Sequence, residues 1–262
     1  MSDRLLSVLL IVAALAGVLV AIIRTGGQNQ TEMARLRHDL EILRDAQDGT
    51  RSDVAKVLRR QSMTAQTNIP QREIALSLED APFRGAGNAP VTLVEFTEFE
   101  SPACARYARE TLPQLERDYI SMGKLRYVIR GFPVDPAHTL AFRAHEAAQC
   151  AAEQGKFWQM HDLLFASNGR LSGGDMLAHA QALGLDRGKF LTCFDGGLHA
   201  PNIRRDVLEG QKNGVTSTPT FFIGPSPTMG APLKALRVMT GAQAYASFKE
   251  VIDDVLEAVP TS

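Results

Sequence analysis

Between Val91 and Ile129 the chain carries two apolar strands separated by one helical stretch, and this limits the fold more than any other feature. Val91, Leu93, Val94 and Phe96 make the first strand; Pro102 opens a helix that continues through Tyr107, Leu112, Leu115 and Tyr119; Leu125 to Ile129 is the next strand. Such a unit pairs its strands in parallel, with a right-handed crossover. Upstream, Ile74, Leu76 and Leu78 alternate with Ala75 and Ser77 as in a half-buried strand, and Gly85 to Pro90 is a turn-rich loop. Downstream, a helical stretch runs from about Pro136 to Gly210, with helical periods in Leu140–Ala152, Phe157–Phe165, Asp175–Leu183 and Arg187–Phe194. Thr220 to Ile223 and Leu236 to Met239 read as strands, and Ala244 to Val259 closes the chain as an amphipathic helix with Phe248, Val251, Ile252 and Leu256 inward. The predicted order is β-α-β, a helical insertion over about 136–210, then β-β-α, an α/β fold.

The N-terminus stands outside that order. Leu5 to Ile23 carries no charge, its only polar side chain is Ser7, and Arg4 and Arg24 flank it. A helix of that length nearly crosses the hydrocarbon layer at about 1.5 Å per residue. Ala14-Leu15-Ala16 before Gly17 has the form a signal peptidase accepts, yet apolar character continues through Val18, Leu19, Val20, Ile22 and Ile23. The reading is an uncleaved signal-anchor over 1–24. Arg4 on one side and Arg24, Arg35 and Arg37 on the other leave orientation undetermined by charge. Residues 25–72 read as a helical stalk and linker. Met33, Leu36, Leu40 and Leu43 form a short apolar seam, which fits a dimerising coiled coil and a solvated helix equally.

Three segments of the remaining domain, 73–262, lie in the order of one family. Val94-Glu95-Phe96-Thr97-Glu98-Phe99-Glu100-Ser101-Pro102-Ala103-Cys104 resembles the DsbA family's strand running into a Cys-Pro-x-Cys helix start. Gln154-Gly155-Lys156-Phe157-Trp158, followed by His161-Asp162-Leu163-Leu164-Phe165, resembles a segment of that family's inserted helices. Gly214-Val215-Thr216-Ser217-Thr218-Pro219-Thr220-Phe221-Phe222-Ile223-Gly224 resembles its cis-proline strand. The resemblance implies a thioredoxin fold with an inserted α-helical domain. It places the family's attacking cysteine at Ser101, with Pro102 and Cys104 in the following family positions.

Dithiol exchange needs a thiolate at a helix start, where free N–H groups and the helix dipole lower a cysteine pKa. Ser101 cannot make that attack, and no His or Asp stands next to it in sequence to activate its hydroxyl. Ser-Pro at a helix start is also a plain N-cap. What remains is a one-cysteine reaction at Cys104, or a buried, inert thiol there. The resemblance assigns Thr218 and Pro219 to substrate docking: a cis-proline loop offers backbone groups to an extended chain. It likewise implies a structural disulfide between Cys150 and Cys193, against two buried hydrophobes. Glu98 and Glu100 are weak candidates to perturb Cys104. His138 reads as opening a helix after Pro136 and fits the site edge, a cap or an exposed surface; His161 and Asp162 read as a helix face packed beside Trp158.

Composition narrows function further. The 262 residues carry a net charge of -1, which offers no basic excess for nucleic acid. The three cysteines, Cys104, Cys150 and Cys193, contain no CxxC, so no metal site is expected. Three functions stand as expectations. One is a single-cysteine member of extracytoplasmic thiol-disulfide metabolism, held at the cytoplasmic membrane by one span with its domain in the periplasm or cell exterior. Another is a non-catalytic module binding protein or peptide clients. The third follows a second likeness, to kappa-class glutathione transferases and hydroxychromene carboxylate isomerases: there a serine before proline hydrogen-bonds the glutathione thiolate, a role that would fall to Ser101. Glutathione is thus the one cofactor in view.

Overall fold

The computed structural model describes His38 and residues 74–228 and 230–259. The expected anchor over 1–24 and stalk over 25–72 lie outside the described residues, apart from His38, which is helical and exposed. Among the described residues no helix is long and apolar enough to cross a membrane.

In chain order the elements are β1 (Ala75–Leu76), β2 (Phe83–Arg84), β3 (Val91–Thr97), α1 (Pro102–Glu110), α2 (Leu112–Leu115), a π-helical turn (Glu116–Ile120) and β4 (Leu125–Gly131). The insertion follows as α3 (Ala141–Ala152), α4 (Phe157–Ala166), α5 (Gly173–Ala182), α6 (Arg187–Asp195) and α7 (Ala200–Lys212). β5 (Thr220–Pro225), β6 (Leu233–Lys234), β7 (Arg237–Thr240) and α8 (Tyr245–Ala258) complete the fold.

Five strands form one sheet in the order β2-β4-β3-β5-β7. β3 and β4 are parallel, Val91 facing Leu125 through Thr97 facing Gly131, and every other pair is antiparallel. The central strand β3 is buried on both faces, which explains its near-continuous apolar run. Its alternation divides the core. Val91 and Leu93 face a large cluster with Tyr107, Tyr127, Phe221, Phe248 and the insertion. Val94 and Phe96 face a smaller one with Leu76, Val128, Phe132, Val215 and Phe222. α7 comes close to that second face because Gly210 has no side chain; a Cβ there would lie 2.6 Å from the Phe132 ring.

Four details differ from the sequence reading. The helix after Pro102 is not continuous: it stops at Glu110, and Thr111 caps both pieces ahead of Pro113. Pro113 has no N–H to donate to the preceding turn, so the helix restarts there. Of the expected first strand only Ala75–Leu76 is regular, and it pairs with β6, a two-residue strand too short to show periodicity. β2, equally short, was not expected. The insertion begins later than 136: Pro136 lies in a turn, and α3 starts at Ala141. In α8 the buried residues are Phe248, Ile252 and Val255, with Val251 and Leu256 only half-buried.

Candidate functional site

The carboxyl end of β3 turns through Glu98–Ser101 into α1, and the first turn of that helix holds three of the residues singled out in the sequence. Ser101 is extended (φ -73, ψ 119), and its hydroxyl accepts the Cys104 backbone N–H at 3.4 Å. Pro102 follows in the first helical turn, where a missing N–H costs nothing. One helical turn along, Cys104 is fully buried and has a free thiol. Ser101 is nearly buried as well, so Pro102 is the exposed residue of the turn.

Thr218 and Pro219 lead into the neighbouring strand, β5. Their peptide bond is cis. Thr220 pairs with Phe96, so Pro219 enters β5 level with Thr97, where β3 ends. The Pro219 carbonyl accepts from Gly241 N at 2.8 Å, and the Thr220 hydroxyl donates to Ser217 O at 2.7 Å. Thr218 is half-buried and makes no backbone hydrogen bond among the described residues.

The acid that acts on Cys104 is Glu95, a residue the sequence reading quoted but did not single out. It had named Glu98 and Glu100 instead. Period-two alternation was the available signal: Glu95 shares its face of β3 with Val91, Leu93 and Thr97, the face that α1 covers. Glu95 is buried without a cation, and that burial holds its carboxyl up at about 7 although the Tyr127 hydroxyl donates to it. Among the described residues, Glu95 Oε1, Thr97 Oγ1 and Tyr107 OH have no hydrogen-bond partner. Burial, and then the Glu95 charge, push the Cys104 thiol up to about 11 against the opposing pull of Ser101. That shift works against ionisation at neutral pH, whereas an attacking cysteine needs its thiolate.

The other two acids hold the frame. Glu98 is buried and bonded to His138 Nδ1; burial raises its pKa and His138 opposes that shift. His138 therefore does not open a helix but closes the loop beside β3. Glu100 Oε2 accepts from Leu140 N and Ala141 N, both at 2.6 Å, and so caps α3. The active-site turn and the insertion are joined through that carboxylate. His161 is buried against Phe99, Trp158 and Phe165, while Asp162 reaches Arg84 at 2.8 Å. Away from this site, a disulfide joins Cys150 on α3 to Cys193 on α6 with their Cα atoms 5.8 Å apart.

Known proteins share this fold. The Wolbachia pipientis protein alpha-DsbA1 superposes with a TM-score of 0.62 at 24% identity, covering 70% of this chain and 94% of that one. BdbD from Bacillus subtilis, in its oxidised form, superposes at 0.60 with 19% identity, covering 71% and 100%. In sequence, Na(+)/H(+) antiporter NhaA 3 of Salinispora tropica is 42% identical over 140 residues, 53% of this chain. The chain covers 21% of that antiporter's length, and the same share of Na(+)/H(+) antiporter NhaA 1 of Salinispora arenicola. The family model described as Thioredoxin matches residues 77–254. On that match the chain belongs to the thioredoxin family, and it carries the DsbA-like form of the fold with a helical insertion.

Proposed function

We propose that this chain is a membrane-tethered, peptide-binding member of the thioredoxin family that works outside the cytoplasm and performs no dithiol exchange. Residues 1–24 would anchor it in the cytoplasmic membrane. Residues 25–72 would carry the domain clear of the bilayer, singly or as a dimer. The clients are extended segments of extracytoplasmic proteins. No ion transport is carried over from the antiporters, since the match covers so little of them.

The observation that carries this reading is a buried thiol of raised pKa in a fold that keeps a cis Thr–Pro bond at the head of the strand paired with β3. Cys104 is buried with its pKa near 11, and an oxygen stands at Ser101. The cis Thr218–Pro219 bond leads into the strand paired with β3, and among the described residues the Thr218 backbone groups make no hydrogen bond. An extended peptide can pair there as an added strand. The test is insulin reduction alongside binding of an unfolded, cysteine-free peptide. Insulin turnover is expected at background and peptide binding is expected to weaken at least tenfold in Pro219→Ala. Turnover abolished by Cys104→Ala would overturn the reading in favour of one-cysteine chemistry.

One observation favours a second reading. The Ser101 hydroxyl accepts from Cys104 N, so its own proton is a donor at the N-terminus of a helix. A hydroxyl donor with a helix dipole suits the thiolate of glutathione. Calorimetric titration to millimolar glutathione, with Ser101→Ala as control, separates the readings.

A further inference from the structure

The absence of a CxxC argued against a metal site, yet the fold gathers what the spacing hides. Cys150 and Cys193 are 43 residues apart in sequence but bring their Cα atoms to 5.8 Å. His199, the residue that opens α7, completes the group: one ring nitrogen and both sulfurs lie within 4.8 Å of one another. Glu153 Oε1 is 3.1 Å from His199 Nε2. A carboxylate on one nitrogen of a histidine fixes the tautomer and turns the other nitrogen's lone pair outward, as in metal-ligating histidines. Asn202 Nδ2 approaches His199 Nδ1 at only 3.5 Å. Cys193 and Glu153 also line an open cavity of about 780 Å³, so a small ion has a route in; Lys189 on its wall is the one basic group there.

We propose that, once the Cys150–Cys193 bond is reduced, Cys150, Cys193 and His199 bind a single zinc-like cation, so that disulfide and metal are alternative states of one site. Two thiolates and an imidazole suit zinc, with the fourth position left to water. A tetrahedral zinc holds its sulfurs about 3.8 Å apart, which side-chain rotation reaches from cysteines so placed. A small dithiol supplies the reduction. It delivers two electrons and two protons to the S–S bond, becomes a disulfide itself, and leaves two thiols. The cation then displaces both thiol protons to solvent. Because it binds only the reduced form, it holds that form against reoxidation by mass action.

The experiment uses the full-length chain with Cys104→Ser, reduced anaerobically and titrated with Co²⁺ followed by Zn²⁺. One Co²⁺ per chain is expected, with sulfur-to-cobalt absorption in the near ultraviolet that Zn²⁺ abolishes. The oxidised chain is expected to bind none. His199→Ala keeps both cysteines and the cross-link, so it reports on the site without removing the disulfide; at least a tenfold loss of Co²⁺ affinity is expected. Zn²⁺ is further expected to slow reoxidation of the reduced chain at least tenfold. Absence of Co²⁺ binding by the reduced chain, equal binding when oxidised, or affinity unchanged in His199→Ala would each overturn the proposal.

Discussion

Each face of the central sheet buries one charged side chain, and the two are treated in opposite ways. On the face toward α7, Arg130 meets Asp206 at 2.5 Å and Glu209 at 3.1 Å, and donates to the Ser77 carbonyl. Asp206 also accepts from Gly131 N at 3.2 Å. On the face toward α1, Glu95 has the Tyr127 hydroxyl but, among the described residues, no cation, and one of its oxygens is unpartnered. Burial raises the pKa of Asp206, but the Arg130 charge opposes that directly; nothing comparable opposes it at Glu95. A buried charge with partners becomes a rivet, here tying β4, α7 and the segment around Ser77 together. A buried acid without them becomes a titratable group, and it lies in the core against the one free thiol.

Removing the rivet is expected to cost most. Arg130→Met strands two carboxylates in a buried setting, and breaking a buried pair from one side costs about 3–5 kcal/mol. Urea denaturation at pH 7 checks it. Adding Asp206→Leu is expected to recover part of the loss, since the stranded charge is then gone. A cost for Arg130→Met below about 1 kcal/mol would put the two faces on a level and break the comparison.

The opposite face is expected to respond to pH. Glu95 has a folded pKa of about 7 against 4.5 as its ordinary value. The folded state therefore holds more protons than the unfolded one across that interval. Its contribution to stability is complete below 4.5 and is lost as pH rises through about 7. His145, buried and bonded to Thr97 O, runs the other way: burial lowers it from 6.5 to about 3, so its contribution is complete above 6.5 and is lost on acidification. The difference between Glu95→Gln and the parent cancels the histidine. That difference is expected to move in the variant's favour by on the order of 3 kcal/mol between pH 4.5 and pH 8. Denaturation curves at several pH values measure it; a flat difference would show that Glu95 is not held up by burial.

How far such features could be read beforehand depended on how local their causes are. The β3–α1–β4 unit was legible because Val91–Phe96 and Leu125–Ile129 carry their burial in consecutive residues. Cys104 and Pro219 stood out because proline and cysteine mark special geometry. β1, β2 and β6 are two residues each, below any period, and form only because the sheet supplies a partner. Glu95 was obscured because Glu98 and Glu100 lie nearer Ser101 in sequence; pleating turns Glu95 to the face that α1 covers, while the other two lie past the end of β3 and bond to His138 and to the start of α3. Arg130 was invisible for the same reason, since Asp206 and Glu209 reach it from α7, more than seventy residues away.

The smallest expected effect joins the helix start to the thiol. Ser101 accepts from Cys104 N at a long 3.4 Å, so the cap is weak, and Ser101→Ala is expected to cost about 0.5–1 kcal/mol. The same hydroxyl also pulls the Cys104 pKa down, against burial and Glu95. Its removal is therefore expected to raise that pKa further, whereas Glu95→Gln, which takes away a raising charge, is expected to lower it. The pH dependence of iodoacetamide alkylation under mild denaturant measures both shifts. Movement in opposite directions would establish that the oxygen at position 101 and the acid beneath it act on one sulfur. Movement in the same direction would mean that burial alone governs Cys104, and that the serine does no more than start a helix.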